Sequence, residues 1–156
     1  MQEYNDYKNR IDAINFTLAS DDGKGSLNYD KADLILIGVS RSGKTPTSLY
    51  LALQFGLYVA NYPLTEDDLE RPFLPGVLEN YKTRLFGLTI EVKRLADIRQ
   101  QRLPDSQYAS LTQCQQELDR VKRLYRLENI PFLDSTYKSI EEIASRILAI
   151  TGMKRR

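Results

Sequence analysis

One segment constrains the fold of this chain more than any other: the loop GVSRSGKT, residues 38–45, which directly follows the apolar run LILI, residues 34–37. All fixed positions of the pattern GxxxxGK[ST] are matched, by Gly38, Gly43, Lys44 and Thr45. The apolar run predicts a strand buried on both faces, and Pro46 suits the first turn of a following helix. Glycines let backbone N–H groups converge on phosphate oxygens, and the helix N-terminus adds positive potential. The segment therefore predicts a phosphate-binding loop in an α/β fold.

The side chains of this loop match the chemistry of nucleotide phosphates. Lys44 would bring its positive charge next to the terminal phosphates, and the hydroxyl of Thr45 is placed to help hold magnesium. Arg41 stands inside the loop, where it could also reach a phosphate. The other interpretation is a chance turn rich in glycine and serine, which the flanking strand and helix disfavour.

Composition excludes several classes of protein. The chain has 156 residues, 42% hydrophobic and 28% charged, which indicates one globular domain spanning residues 1–156. A net charge of +1 provides no basic field, so no nucleic-acid partner is expected. With no histidine and a single cysteine, Cys114, the common zinc sites and an internal disulfide are excluded. No apolar run approaches the roughly 20 residues of a membrane span, and the polar start does not resemble a signal peptide, so we expect a cytoplasmic protein.

Strands alternate with helices along the chain, which predicts a P-loop-type, mostly parallel sheet flanked by helices. After the strand at residues 34–37, further strands are expected in LYVANYPL (57–64), RLFGLTI (84–90) and IPFLD (130–134). A helix after the loop should end near Gly56, and a basic helix should cover residues 91–102.

Three other helices are predicted from apolar stripes. The first helix has its stripe at Tyr4, Tyr7, Ile11, Ile14 and Leu18. A longer helix places Leu111, Cys114, Leu118, Val121 and Tyr125 on one face, which makes Cys114 a core residue and not a nucleophile. The last helix begins with a capping box, Ser139 with Glu142, and buries Ile140, Ile143, Ala144, Ile147 and Leu148.

Other candidate site residues have two interpretations each. Asp21 and Asp22 could hold a metal or act as a base, but SDDGKGS is also typical turn chemistry. Asp134 could be an acid facing the magnesium or the start of a turn. The basic side chains of the helix at 91–102 could form a solvated face or close over a nucleotide; they are Lys93, Arg94, Arg99 and Arg102.

Five segments resemble the phosphoenolpyruvate synthase regulatory proteins of bacteria: ADLILIGVSRSGKTPTSLYLALQFG, ANYPLTEDDLE, LFGLTIEVKRLADIRQQR, SQYASLTQC and STYKSIEEIASRIL. The resemblance covers nearly the whole chain. The sequence PTSLYLA after Lys44 and Thr45 is typical of that family and not of ordinary nucleotide kinases. Gly43 favours it over the related regulators of pyruvate, phosphate dikinase, which usually lack this glycine.

The resemblance implies a bifunctional enzyme whose protein partner is phosphoenolpyruvate synthase. Members of this family transfer a phosphoryl group from ADP to a threonine of the dikinase and thereby inactivate it. They restore it by phosphorolysis, in which inorganic phosphate removes the group as pyrophosphate. ADP, inorganic phosphate and magnesium are therefore the expected ligands, and a homodimer is a possible assembly.

The resemblance also implies which residues form the site. The nucleotide-binding residues are Gly38, Val39, Ser40, Arg41, Ser42, Gly43, Lys44 and Thr45. Asp21 and Asp22 align with a family HDDG motif, which favours a catalytic role for them together with Lys44. Ser20 replaces the histidine of that motif, so no imidazole is expected there as base or phosphate ligand. Because family members have a substantial region before the point matching Tyr4, the chain is expected to correspond to their C-terminal domain.

Two other functions remain open from the residues alone. One is a small-molecule or nucleoside monophosphate kinase, which shares the loop, the size and a basic helix. The other is a nucleotide-sensing module that binds the dikinase without turnover, since a motif supports binding more securely than chemistry.

Overall fold

The computed structural model describes residues 2–21 and 26–155. Within them, four strands form one parallel sheet in the order β2-β1-β3-β4. The strands are β1 (Leu34–Gly38), β2 (Val59–Pro63), β3 (Leu85–Thr89) and β4 (Phe132–Asp134). The predicted α/β fold with a parallel sheet flanked by helices is confirmed, and so are the four predicted strands.

Helices precede, connect and follow these strands. They are α1 (Gln2–Ala19), α2 (Lys44–Phe55), α3 (Glu66–Leu69), α4 (Val92–Arg102), α5 (Leu111–Leu127) and α6 (Ile140–Thr151). Short 3-10 helices cover Ser26–Lys31, Gly76–Arg84 and Gln107–Ala109. As predicted, α2 ends at Gly56, whose φ of 66° lies in the left-handed region that favours glycine. The Ser139 hydroxyl caps α6 by accepting a hydrogen bond from the Glu142 N–H at 3.1 Å.

The strand order determines where a ligand can bind. From β1 the chain moves to β2 on one side, and it then crosses to β3 on the other side. In parallel α/β sheets such a reversal leaves a crevice at the carboxyl ends of the two strands that flank it. The loop at residues 38–45 follows β1 directly, so it lies at this crevice.

The core has two layers, one on each face of the sheet. Ile35 and Ile37 of β1 join the layer that contains α4 and α5, whereas Leu34 and Leu36 join the layer that contains α2 and α6. All five residues of β1 are buried. A central parallel strand with both faces covered therefore accounts for the uninterrupted apolar run in the sequence.

A glycine in β3 allows α5 to approach the sheet closely. A Cβ atom built on Gly87 would lie 2.4 Å from Cζ of Tyr125, which leaves no room for any other residue. The Tyr125 hydroxyl lies 3.1 Å from the Ile37 carbonyl oxygen and 3.0 Å from that of Leu88, and it donates its hydrogen bond between β1 and β3. Burial raises the pKa of Tyr125, so the hydroxyl keeps its proton.

The buried face of α1 differs from the predicted stripe, which was wrong at three positions, whereas Ile14 is partly buried. Tyr7 and Leu18 are 66% and 56% exposed and Ile11 is exposed too, while the Tyr4 side chain lies outside the described residues. Ala13 and Thr17 are buried instead, where α1 packs against α2 and β2. Small side chains allow this close packing. The face of α1 that becomes buried is therefore the one that can approach α2 and β2 closely, and not the one with the most apolar residues.

Two further stripe residues were also predicted wrongly. Leu111 is 55% exposed and Ile140 is 37% exposed. Each is the first residue of its helix, ahead of the turns that reach the core. The later residues of both stripes are buried or partly buried as predicted.

In the part of the chain that the structure describes, no helix combines the length and the apolar character needed to cross a membrane.

Candidate functional site

The loop at residues 38–45 is a compact turn at the carboxyl end of β1. A Cβ atom at Gly38 would lie 2.7 Å from the Ser42 Oγ, so only glycine fits there. Gly43 has a φ of 104° and is the N-cap residue of α2. It has no side chain to bond the first N–H groups of the helix, which are the groups that bind anions at helix N-termini. The loop therefore has the backbone geometry that a phosphate cradle requires.

The Lys44 ammonium group lies inside this turn. Lys44 is only 4% exposed, and its Nζ donates to the Val39 carbonyl oxygen at 2.7 Å. Ser42 Oγ donates to the same carbonyl at 2.8 Å. A cavity of about 490 Å³ opens over the loop, lined by Ser40, Arg41, Gly43, Lys44, Thr45 and Pro46, with Pro63 and Ile98 beside them. Two cationic side chains thus border a cavity at the N-terminus of α2.

Asp21 is brought to the same place from the end of α1. Its Oδ1 accepts a hydrogen bond from the Thr45 hydroxyl at 2.8 Å and another from the Asn61 side-chain amide at 2.5 Å. Asn61 is fully buried in β2, and its backbone N–H donates to the Ser20 carbonyl oxygen at 3.3 Å. Strand β2 therefore holds this carboxylate next to the first turn of α2. The structure brings Asp21 to Thr45, the residue that follows Lys44, and Asp22 lies outside the described residues.

The oxygen atoms of Thr45 and Asp21 fit a magnesium ion. Among the described residues, no group of three or more acidic, histidine or cysteine side chains could hold a metal by itself. Magnesium commonly takes only one or two protein ligands and completes its shell with phosphate oxygens and water. A metal held in this way would arrive with a nucleotide.

Asp134 is placed elsewhere. It ends β4, and its carboxylate accepts hydrogen bonds from the backbone N–H and the hydroxyl of Thr136. It does not line the cavity above the loop. The structure therefore does not bring Asp134 to Thr45.

The basic side chains of helix α4 are not all exposed to solvent. Lys93, Arg94 and Arg102 are exposed, but Arg99 is fully buried and forms a two-pronged ion pair with Glu117, at 3.0 and 2.9 Å. Burial is the largest single effect on the pKa of Arg99 and lowers it, but the hydrogen bonds and the charge attraction of the Glu117 carboxylate together outweigh burial, and the pKa is raised.

Arg99 also anchors the phosphate-binding loop. Its Nη2 donates to the Ser40 carbonyl oxygen at 3.2 Å, and its guanidinium lies 4.1 Å from the centre of the Tyr108 ring. The Tyr108 and Ser40 hydroxyls are hydrogen-bonded at 2.6 Å. The loop is therefore tied to α4, α5 and the segment between them.

Cys114 is fully buried beside this cluster, which confirms that it is a core residue. Burial raises the pKa of its thiol, and the nearby Arg99 charge opposes that shift only in part. Ser20, where the family motif has histidine, is also fully buried, and its hydroxyl has no hydrogen-bond partner among the described residues.

Sequence reasoning missed Asn61, Glu117 and the structural role of Arg99. The available signal for Asn61 was a lone amide inside the apolar segment LYVANYPL. Glu117 had a weaker signal, since it lies four residues after Gln113, whose amide donates to it at 2.9 Å.

Comparison with known proteins agrees with these observations. The family described as Kinase/pyrophosphorylase matches residues 1–148. A protein of Stutzerimonas stutzeri (strain A1501), named as a phosphoenolpyruvate synthase regulatory protein, is 57% identical over 150 residues, which cover 96% of this chain and 55% of that protein. A protein of the same name from Acinetobacter baumannii (strain AYE) is 59% identical over 150 residues, covering 96% of this chain and 54% of that protein. The chain spans about half the length of the curated relatives it matches.

Proposed function

We propose, for a chain that belongs to the kinase/pyrophosphorylase family, that residues 38–45 bind the phosphates of ADP for phosphoryl transfer to a threonine of phosphoenolpyruvate synthase. One observation carries this proposal: the Asp21 carboxylate is hydrogen-bonded to Thr45 at the N-terminus of α2, next to the buried Lys44. This arrangement sets a carboxylate against the first turn of the helix that follows the phosphate cradle and its lysine. The names of the relatives support phosphoenolpyruvate synthase as the protein partner.

In the forward direction the protein positions a diphosphate and a hydroxyl group. The loop N–H groups and Lys44 stabilise the negative charge that develops on the β-phosphoryl group. The threonine oxygen bonds to the β-phosphorus as the bond from that phosphorus to the bridging oxygen breaks, and AMP leaves. Oδ1 of Asp21 is held by Thr45 and Asn61, and its carboxylate accepts the threonine proton. Magnesium held by the Thr45 hydroxyl would neutralise phosphate charge.

In the reverse direction inorganic phosphate is the nucleophile. Its oxygen bonds to the phosphorus of the phosphothreonine as the bond to the threonine oxygen breaks, which forms pyrophosphate. Asp21 takes the proton of the attacking hydrogen phosphate and passes it to the departing threonine oxygen. Both directions require a cradle for two linked phosphorus centres, so one loop can serve both.

The test uses the 156-residue chain, purified phosphoenolpyruvate synthase and ADP labelled at the β-phosphate. We expect the label to move to a threonine of the synthase while AMP accumulates in step. Addition of inorganic phosphate should then release the label as pyrophosphate. Labelling of a small molecule from ATP would favour the nucleotide-kinase alternative, and ADP binding without any transfer would favour the sensing module.

Replacing Lys44 with alanine should weaken ADP binding at least about tenfold, because a charge-assisted hydrogen bond contributes on the order of 1.5 to 3 kcal/mol. Titration calorimetry measures the affinity, and circular dichroism checks the fold. Lys93→Ala removes an exposed lysine from α4 and is the matched control, with unchanged affinity expected. Unaltered ADP affinity in folded Lys44→Ala protein would show that the loop is not the binding site.

A further inference from the structure

A second cavity adjoins the phosphate-binding loop at the end of β2. Its volume is about 340 Å³, and it shares Ser40 and Pro63 with the cavity over the loop. Pro63 is the last residue of β2, the strand that holds Asp21 through Asn61. The cavity on the β2 side therefore begins at the carboxyl end of the strand that positions the candidate base.

The charges beside the loop differ between its two sides. Toward β4, at the opposite edge of the sheet, a cavity is lined by the cationic side chains of Arg41, Arg94 and Lys138. Among the described residues that line the cavity on the β2 side, Arg99 is the cation, and the Glu117 carboxylate compensates its charge. A further phosphate group therefore gains little on the β2 side.

The acceptor of the proposed reaction is a threonine within a polypeptide, so the neighbours of that threonine must also lie beside the loop. Consecutive residues of an extended segment are only about 3.3 Å apart along the chain, which brings a neighbour within reach of an adjoining cavity. Resting on the proposed function, we propose that the cavity on the β2 side binds the residue next to the acceptor threonine, and that this residue is a lysine or an arginine.

Two carboxylates make this cavity a site for hydrogen-bond donors. Glu117, at 8% exposure, accepts hydrogen bonds from Nη1 and Nη2 of Arg99 and from the Gln113 amide. A carboxylate offers about four acceptor positions, so the three donors among the described residues leave room for one from a ligand. Glu66, the first residue of α3, is exposed and lines the same cavity. Since Arg99 and Glu117 neutralise each other, Glu66 gives the cavity its net negative charge.

The cavity also has an apolar wall, formed by Pro63 and the buried Leu64. Lysine and arginine combine an apolar stem, which packs against such a wall, with a charged head that donates hydrogen bonds. A basic side chain therefore matches both parts of the lining, whereas an acidic side chain would be repelled by Glu66.

The test measures transfer of the labelled phosphoryl group from ADP to phosphoenolpyruvate synthase at varied synthase concentration. In Glu66→Gln, we expect KM for the synthase to rise about fivefold with kcat and ADP affinity unchanged, because one exposed charge pair away from the reacting groups is lost. The rise should become smaller at high salt. Glu141→Gln is the matched control, because Glu141 is an exposed carboxylate in the first turn of α6 that does not line the cavity. Circular dichroism checks that both variants fold.

A charge exchange tests the partner residue directly. Mass spectrometry locates the modified threonine, and the lysine or arginine beside it is replaced with glutamate. This synthase variant should be a poor acceptor for the unmodified chain and a better one for Glu66→Lys, with its fold checked by thermal melting.

The outcomes separate this proposal from the proposed function. A threonine without a basic neighbour would overturn the cavity proposal, as would a KM that does not respond to Glu66→Gln, or a folded synthase variant that Glu66→Lys does not recover. Absence of any transfer by the unmodified chain would instead contradict the proposed function.

Discussion

A single buried amide determines where the candidate catalytic carboxylate lies. Asn61 belongs to β2, yet its side chain bonds Asp21, which is 40 residues earlier in the chain. The Thr45 hydroxyl bonds the same carboxylate oxygen. Because two donors hold one oxygen, the carboxylate has a defined orientation before any ligand binds. Preorganisation of this kind is what transfer between two bound groups requires.

Replacing Asp21 with asparagine should separate catalysis from binding. The amide keeps the shape of the side chain but cannot accept a proton, so we expect phosphoryl transfer to fall by about 100-fold or more. ADP affinity measured without magnesium should change little, because Lys44 and the loop N–H groups are unaltered. Transfer at the unmodified rate would contradict the role of Asp21 as the base.

The contact between Gly87 and Tyr125 gives a residue-scale prediction about stability. Gly87→Ala would place a methyl group against the tyrosine ring, and overpacking of this kind typically costs about 1 to 3 kcal/mol. Gly76→Ala is the matched control, since no atom lies within 4 Å of a Cβ built there. Denaturant unfolding of both variants measures the difference. Equal stability of the two would mean that Tyr125 can move away at no cost.

At the scale of elements, α4, α5 and the phosphate-binding loop form one unit through Arg99. Its guanidinium group bonds Glu117 of α5 and the Ser40 carbonyl oxygen of the loop. The loop therefore has a support from α4 and α5 in addition to its link to α2. A buried ion pair does not by itself imply added stability, but loss of one partner leaves an uncompensated charge.

Glu117→Gln tests this unit. The variant keeps the size of the side chain but removes the charge that compensates Arg99, and breaking a buried pair in this way costs about 3 to 5 kcal/mol. Glu128→Gln removes the partner of Lys82 in a more exposed pair, which should cost no more than about 1 kcal/mol. Unfolding free energies of the two variants provide the comparison. A similar, small loss in both would show that Arg99 finds another partner.

The elements of this fold were predictable because their signals are local. The run LILI, the glycines of the loop and Gly56 each impose a conformation on their own segment. The buried face of α1 was not predictable, because it depends on how closely α2 and β2 approach small side chains such as Ala13. Within the candidate site, the loop was evident from its pattern. The hydrogen bond between Asp21 and Thr45 was not, since it depends on β2, which comes later in the chain and holds Asp21 through Asn61.

At the scale of the whole molecule, the candidate site is assembled from segments that are far apart in the chain. Asp21 follows α1, the loop follows β1, Asn61 lies in β2 and Ser135 follows β4. The loop and Ser135 meet because the described strands run in parallel and β1 and β4 end at the same edge of the sheet, and Asn61 of β2 holds Asp21 beside the loop. No single helix or strand could form this site alone.

The hydrogen bond from Ser135 to the Ser42 carbonyl oxygen spans 93 residues, and it has a consequence for the order of folding. Parallel strand pairs close long loops before their contacts form, so they fold slowly, whereas helices form quickly from local contacts. The phosphate-binding loop gains this support only when β4 docks. During refolding from denaturant, we therefore expect helical circular dichroism to recover before the capacity to bind ADP, followed with a fluorescent ADP analogue. Simultaneous recovery of both signals would mean that the loop takes its final shape without β4. With the expected delay, nucleotide binding becomes a marker of completed folding.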